Sequence, residues 1–326
     1  MKGEFILKAI TKKILVASVA VGVMTPFTGW GAVYAKTVHV DSAGDSNNEV
    51  EVHKDSYTVN DEITELAEND EYGSVNGGYS QSKNVESNHV IINGGVFNGD
   101  ISGGYGSFNA GANGNILQIN GGTINVGSIA AYSGGVYGGY AENNSNANNN
   151  TVTINNGTIN VPITGGYSSS SYSSSKEANN NAIIVKGGVI NSIYGGYSQY
   201  GDTNKNTITI EGGEIKNSIY ASYGMIGSKS NNSITISGSP NLSSAYLYGY
   251  SSSAGITHSG NTLNIYTKNL TAQNVANFDN MNFYLGSNVL NGDTILTLIG
   301  GTQTDLSNTD VKAVLQIGRA SCRERV

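Results

Sequence analysis

The sequence predicts an all-β protein, a right-handed parallel β-helix (solenoid) of about seven coils. Three observations carry that prediction. A phrase with strand-like alternation recurs seven times between residues 88 and 268. Each copy opens on asparagine, and most close on two small residues. A Gly-Gly-Tyr marker accompanies most units.

The phrases are NHVIINGG (88–95), NILQINGG (115–122), NTVTINNG (150–157), NAIIVKGG (181–188), NTITIEGG (206–213), NSITISGS (232–239) and NTLNIYTK (261–268). Their first residues, Asn88, Asn115, Asn150, Asn181, Asn206, Asn232 and Asn261, lie 27, 35, 31, 25, 26 and 29 residues apart. The third residue is always apolar (Val90, Leu117, Val152, Ile183, Ile208, Ile234, Leu263), and so is the fifth. Period-two alternation puts both on one side of a strand. Threonine dominates the position between, as suits a β-branched residue facing solvent.

After each phrase, small residues turn the chain in most units, and a short apolar piece such as TINV or EIKNSIY follows. The marker ends at Tyr79, Tyr105, Tyr140, Tyr167 and Tyr197, with degenerate forms at Tyr223 and Tyr250. One unit thus holds about three short strands and three turns. No such unit buries its apolar face alone, so units must stack. Stacking at about 4.8 Å per coil gives a rod of roughly 30 Å. The long spacings fit insertions at turns, VGSIAAYSGG (126–135) and SSSYSSSKE (169–177). Lys186, Lys205, Lys216 and Lys229 are expected outside, where charge blunts aggregation of stacked strands.

Composition agrees with a repeat protein. Hydrophobic residues make up 38% and charged residues 13%, with Gly 44 of 326 residues. A compact domain usually has more of both classes. Such a mix suits disorder, but the strict repeat argues for order.

Residues 1–35 read as an export signal. Lys2, Lys8, Lys12 and Lys13 precede the apolar run ILVASVAVGV (14–23), and VYA (33–35) offers cleavage after Ala35. That run is shorter than the roughly 20 residues a membrane span needs. Residues 36–72 form an acidic segment, read as a solvated lead-in, without the DxDxDG spacing of a calcium loop. The acidic balance disfavours nucleic acid and anionic membranes as partners. The solenoid repeats are placed at 73–265, and a closing segment at 266–316.

Asparagines stacked at a strand entrance are expected to bond to one another and to backbone as a structural ladder. The tyrosine column Tyr79, Tyr105, Tyr140, Tyr167, Tyr197, Tyr223 and Tyr250 is the candidate binding stripe, because amphipathic tyrosine suits recognition.

Units of the form xIYGGYS…(G/N)NTITIxGG resemble passenger domains of bacterial autotransporters, the type V secreted proteins of diderm bacteria. The resemblance spans roughly residues 77–316, and NVANFDNMNFYLGSNVLNGDTILTLIGG (274–301) looks like the segment that closes such arrays. It implies export to the cell surface and an outer-membrane β-barrel after the passenger. No alternating membrane strands follow residue 301. The tail QIGRASCRERV (316–326) holds Arg319, Arg323 and Arg325, the only arginines, and Cys322, the only cysteine. It resembles the translation of a common short-read sequencing adapter. Ile317–Val326 is therefore expected to be foreign to the gene, and the barrel to be lost by truncation. Without that tail, residues 36–316 hold 10 Lys against 22 Asp plus Glu, a net charge of −12.

Signals for chemistry are poor. His39, His53, His89 and His258 lack metal-ligand spacing. ISGSPN (236–241) faintly resembles a serine-protease stretch, but it falls in the repeat register. Glu211 and Glu214 flank a turn, and equivalent sites elsewhere are not acidic. No catalytic, cofactor or metal site is expected. The expected protein is a monomeric, surface-exposed adhesin meeting a host, matrix or cell-surface protein or glycan. The alternatives are a structural spacer without ligand, or a polysaccharide-active β-helix enzyme.

Overall fold

The computed structural model describes residues 37–41, 46–60, 62–65, 71–125, 135–169, 175–251, 256–301 and 304–315. The export signal, most of both turn insertions and the tail from residue 316 lie outside the described residues. The described residues form an all-β parallel solenoid of about eight turns.

The strand phrases make its longest ladder. Val90, Leu117, Val152, Ile183, Ile208, Ile234 and Leu263 stand directly opposite one another in unbroken parallel register. All seven are buried, because each strand sends alternate residues inward. A second wall comes from the apolar pieces after the turn. Ile101, Val136, Ile163, Ile193, Ile219, Leu247 and Val275 form its register. The two walls enclose a single core that runs the length of the rod.

Two corner columns explain the small residues. Gly95, Gly122, Gly157, Gly188, Gly213 and Gly238 have φ between 64° and 126°, a region where a β-carbon is strained. The residue before each ladder asparagine is also left-handed: Ser87, Gly114, Asn149, Asn180, Lys205, Asn231 and Gly260. Asparagine and glycine tolerate that conformation best.

The solenoid is longer than 73–265. Glu49–Val52 pairs in parallel with His89–Ile92, burying Val50 and Val52, so the acidic segment is not a solvated lead-in. Its acidic residues Glu49 and Glu51 occupy the outward positions of this strand. Ser56–Val59 then pairs antiparallel with that strand, and Glu62–Glu65 antiparallel with Ser56–Val59. This reversal covers the end of the parallel ladder, a usual means of blocking edge-to-edge growth. At the far end Asn280–Leu285 and Asp310–Leu315 add two more parallel strands.

The third side is sparse, with short pairings such as Val85–Glu86 on Ala112–Asn113 and Gly227–Ser230 on Ile256–Ser259. Elsewhere single backbone bonds link the coils, as from the Ala147 N–H to the Glu177 carbonyl. Its inward residues are small: Val85, Ala112, Ala147, Ala178 and Thr203 are buried. Lys229 takes the next inward place and is 0% exposed, contrary to the outward position expected for it. Its Nζ donates to the Ile226 carbonyl at 2.8 Å. Burial lowers its pKa to about 8, against a partial opposing pull from Asp202. Lys186, Lys205 and Lys216 are exposed.

Candidate functional site

The ladder asparagines lie inside the rod. Asn88, Asn115, Asn150, Asn181, Asn206, Asn232 and Asn261 are each 0% exposed. The Oδ1 of each one from Asn115 onward accepts from the backbone N–H and the Nδ2 of the asparagine one coil earlier. Asn150, Asn181 and Asn206 also donate from Nδ2 to the Ala112, Ala147 and Ala178 carbonyls at 2.9, 3.0 and 2.9 Å. This fixes the glycines immediately before Tyr140, Tyr167 and Tyr197. A β-carbon on Gly166 would stand 2.2 Å from the Ala147 oxygen and 2.6 Å from Asn181 Nδ2.

The ladder has two rungs that the repeat phrases do not reveal. Asn48 opens it, donating from its N–H to Asn88 Oδ1 at 2.9 Å. Asp279 ends it, accepting at Oδ2 from the Asn261 N–H at 2.8 Å and from Asn261 Nδ2 at 3.1 Å. The N-x-V-x-V of 48–52 and the D-x-M-x-F of 279–283 were the available signals. A second, partly exposed ladder links Asn155, Asn120 and Asn93 by bonds of 2.7 Å. It finishes on Glu51 at 2.6 Å.

The tyrosines face outward. Tyr79, Tyr105, Tyr140, Tyr167, Tyr197 and Tyr223 stand opposite one another in parallel register. Tyr79 is 40% exposed and the other five are half-buried. Neighbouring rings touch, with centroids 4.6 Å apart for Tyr167 and Tyr197 and 4.9 Å for Tyr140 and Tyr167. Burial raises the pKa of each of these phenols from Tyr105 to Tyr197, that of Tyr167 to about 12.

Tyr250 departs from the column. Ser251 stands opposite Tyr223, its N–H donating to the Ser222 carbonyl as the Tyr223 N–H donates to that of Gly196. Tyr250 stacks instead on His258, centroids 4.3 Å apart.

A second row widens the band. Tyr194, Tyr220 and Tyr248 share one register, and Tyr137 lies further along the same row. Tyr194 and Tyr220 each reach Tyr223 across the corner, at 5.1 and 5.0 Å. With Tyr246 beside Tyr248, the contacts run unbroken from Tyr79 to Tyr246. The signal for this row was the tyrosine three residues before the marker tyrosine, in YGGY at 137–140 and 194–197.

Near one end the band closes around a cavity of about 320 Å³. Tyr105, Tyr137 and Tyr140 contribute aromatic walls, and Asp100 and Glu142 two carboxylates; Ser74, Asn76 and Ser102 complete it. Glu142 accepts from the Tyr105 hydroxyl at 2.8 Å and the Tyr140 hydroxyl at 3.1 Å. Asp100 accepts from the Gly135 N–H at 2.8 Å. Burial raises the Asp100 pKa, and the Glu142 charge adds to the rise against the pull of that hydrogen bond.

Among the described residues, no three His, Cys, Asp or Glu come together to hold a metal. Glu211 is exposed and Glu214 half-buried. No protein family, curated protein or solved structure matches the chain.

Proposed function

We propose that this protein is an adhesive rod, the passenger part of an autotransporter-like protein displayed on the surface of a diderm bacterium. The observation that carries the reading is the unbroken tyrosine band. Eleven rings, from Tyr79 to Tyr248, lie in mutual contact along one face. Most remain half-exposed. Tyrosine offers large, stiff contact area with a polar tip, which favours recognition.

Repetition along the band favours an extended ligand, a glycan chain or a matrix protein segment, held by many weak contacts. Packing of ring on ring fixes each side chain beforehand, so little conformational entropy is lost on binding. The autotransporter assignment rests on the sequence resemblance, and with it the outer-membrane barrel as the route of export.

A glycan and matrix-protein binding screen tests the reading, with a Tyr167→Ala/Tyr197→Ala double variant as control. Binding by the wild type that the double variant loses, with its melting curve still cooperative, supports adhesion. Absence of any ligand favours the spacer. Turnover of a polysaccharide favours the enzyme, whose specific support is the meeting of Asp100 and Glu142 in one cavity. Against it, both Glu142 oxygens already accept tyrosine hydroxyls.

A further inference from the structure

The cavity beside Tyr137 has a chemistry the rest of the band lacks. Its lining carries two carboxylates, and no Lys, Arg or His among the described residues. Its walls are tyrosine rings. Tyr137 is only 9% exposed, and its ring packs between Tyr140 at 4.7 Å and Tyr167 at 5.5 Å. Its hydroxyl makes no hydrogen bond to a described residue, and it lies close enough to Asp100 to feel that carboxylate's charge. A buried phenol normally finds a partner. Here a polar atom is held open towards a cavity that also presents two carboxylates.

We propose that this cavity binds a protonated alkylamine, with the ammonium between Asp100 and Glu142 and the alkyl stem against the tyrosine rings. Charge decides between this and a neutral sugar. The two carboxylates repel each other in a partly desolvated site, and a cation relieves that repulsion where a sugar hydroxyl does not. Aromatic faces attract the same cation through the ring quadrupole. Because Tyr105 and Tyr140 donate their protons to Glu142, their remaining lone pairs, with those of Tyr137, are acceptors for ammonium N–H groups. The net negative charge of the chain draws cations towards it. The size suits a short amine or the end of a lysine side chain, at the small end of ligand sites.

This inference is independent of adhesion, since a rod without any macromolecular ligand would still take the amine. The test is a calorimetric titration of the purified protein with n-butylammonium, beside n-butanol as the uncharged probe and methyl glucoside as the sugar. N-acetyl-lysine methylamide distinguishes a protein side chain from a free amine as the source. Saturable binding of n-butylammonium is expected, with none for n-butanol at the same concentrations. Asp100→Asn and Glu142→Gln, which remove the charge at nearly constant shape and each keep one acceptor oxygen, should each weaken it about tenfold. Tyr137→Phe should weaken it less, and serves if a carboxamide variant fails to fold. Equal binding of n-butanol, binding of methyl glucoside alone, or affinity unchanged by the variants would overturn the proposal.

Discussion

Replacing Lys229 with methionine should stabilise the protein near pH 7 and lose that effect in mild alkali. Lys229 is wholly inside the rod, and burial lowers its pKa from 10.5 to about 8. Near pH 7 it is still charged, so the folded state carries the full penalty of that shift, about 3 kcal/mol at 1.36 kcal/mol per unit. Below pH 8 both folded and unfolded chains hold the proton and the penalty is constant. Between pH 8 and 10.5 the folded chain releases the proton while the unfolded chain keeps it, so the contribution of Lys229 to stability rises with pH. Methionine fills a similar volume without charge, but it forfeits the hydrogen bond to the Ile226 carbonyl, worth about 1 kcal/mol. The net gain is therefore about 2 kcal/mol near pH 7, turning to a small loss as pH approaches 10. Urea denaturation of wild type and Lys229→Met at several pH values between 7 and 10 reads both curves. A wild-type stability that is flat over this range, or a difference between the proteins that does not change with pH, would refute the reasoning.

Above about pH 9 the wild type should weaken again, because burial raises the band tyrosines, Tyr167 and Tyr220 to about 12, and the unfolded chain loses those protons first; a stability maximum near pH 9 checks this. Asn206→Ala removes acceptors for the Asn181 N–H and Nδ2 and a donor to the Ala178 carbonyl, stranding buried groups. A loss of roughly 3 kcal/mol or more is expected in a denaturant melt, and a loss below about 1 kcal/mol contradicts the ladder's role. Ile208→Asp places a charge in the narrow core and should lose several kcal/mol; an unchanged thermal melt refutes that. Gly166→Ala drives a methyl into the Ala147 carbonyl and the ladder amide, so the coil must shift, and a lower melting temperature is expected.

The core walls were legible because period-two alternation repeats in register through Val152, Ile183, Ile208 and Ile234, and nothing else explains seven copies of it. The end rungs were hidden by their outward residues. Glu49 and Glu51 make 48–52 look like part of an acidic tail, although Val50 and Val52 keep the inward pattern. Lys229 was misplaced because the third side is short, its inward residues are small, and no alternation marks which way a side chain points there. Tyr250 was misread because LYGYS (247–251) has one residue fewer between its tyrosines than IYASY (219–223), which shifts the register by one. The cavity was illegible, since Asp100 and Glu142 meet only through stacking of different coils.

The ladder has a direction. Every side-chain oxygen faces the preceding coil, and the amide nitrogen faces the following one. The dipoles add along the rod, with the positive end towards Asp279, whose carboxylate supplies the complementary sign much as an acidic residue does at a helix N-terminus. Interior rungs are interchangeable along the ladder, since each accepts from the rung before it and donates to the rung after it. The terminal carboxylate has no hydrogen to pass on. Length is therefore a free variable of this architecture only within the array: a duplicated unit inserted between Asn88 and Asn261 finds partners on both sides and extends the rod by about 4.8 Å. The same unit placed beyond Asp279 meets a stop. Such a protein grows or shrinks by whole units from its middle, while its two ends stay unchanged.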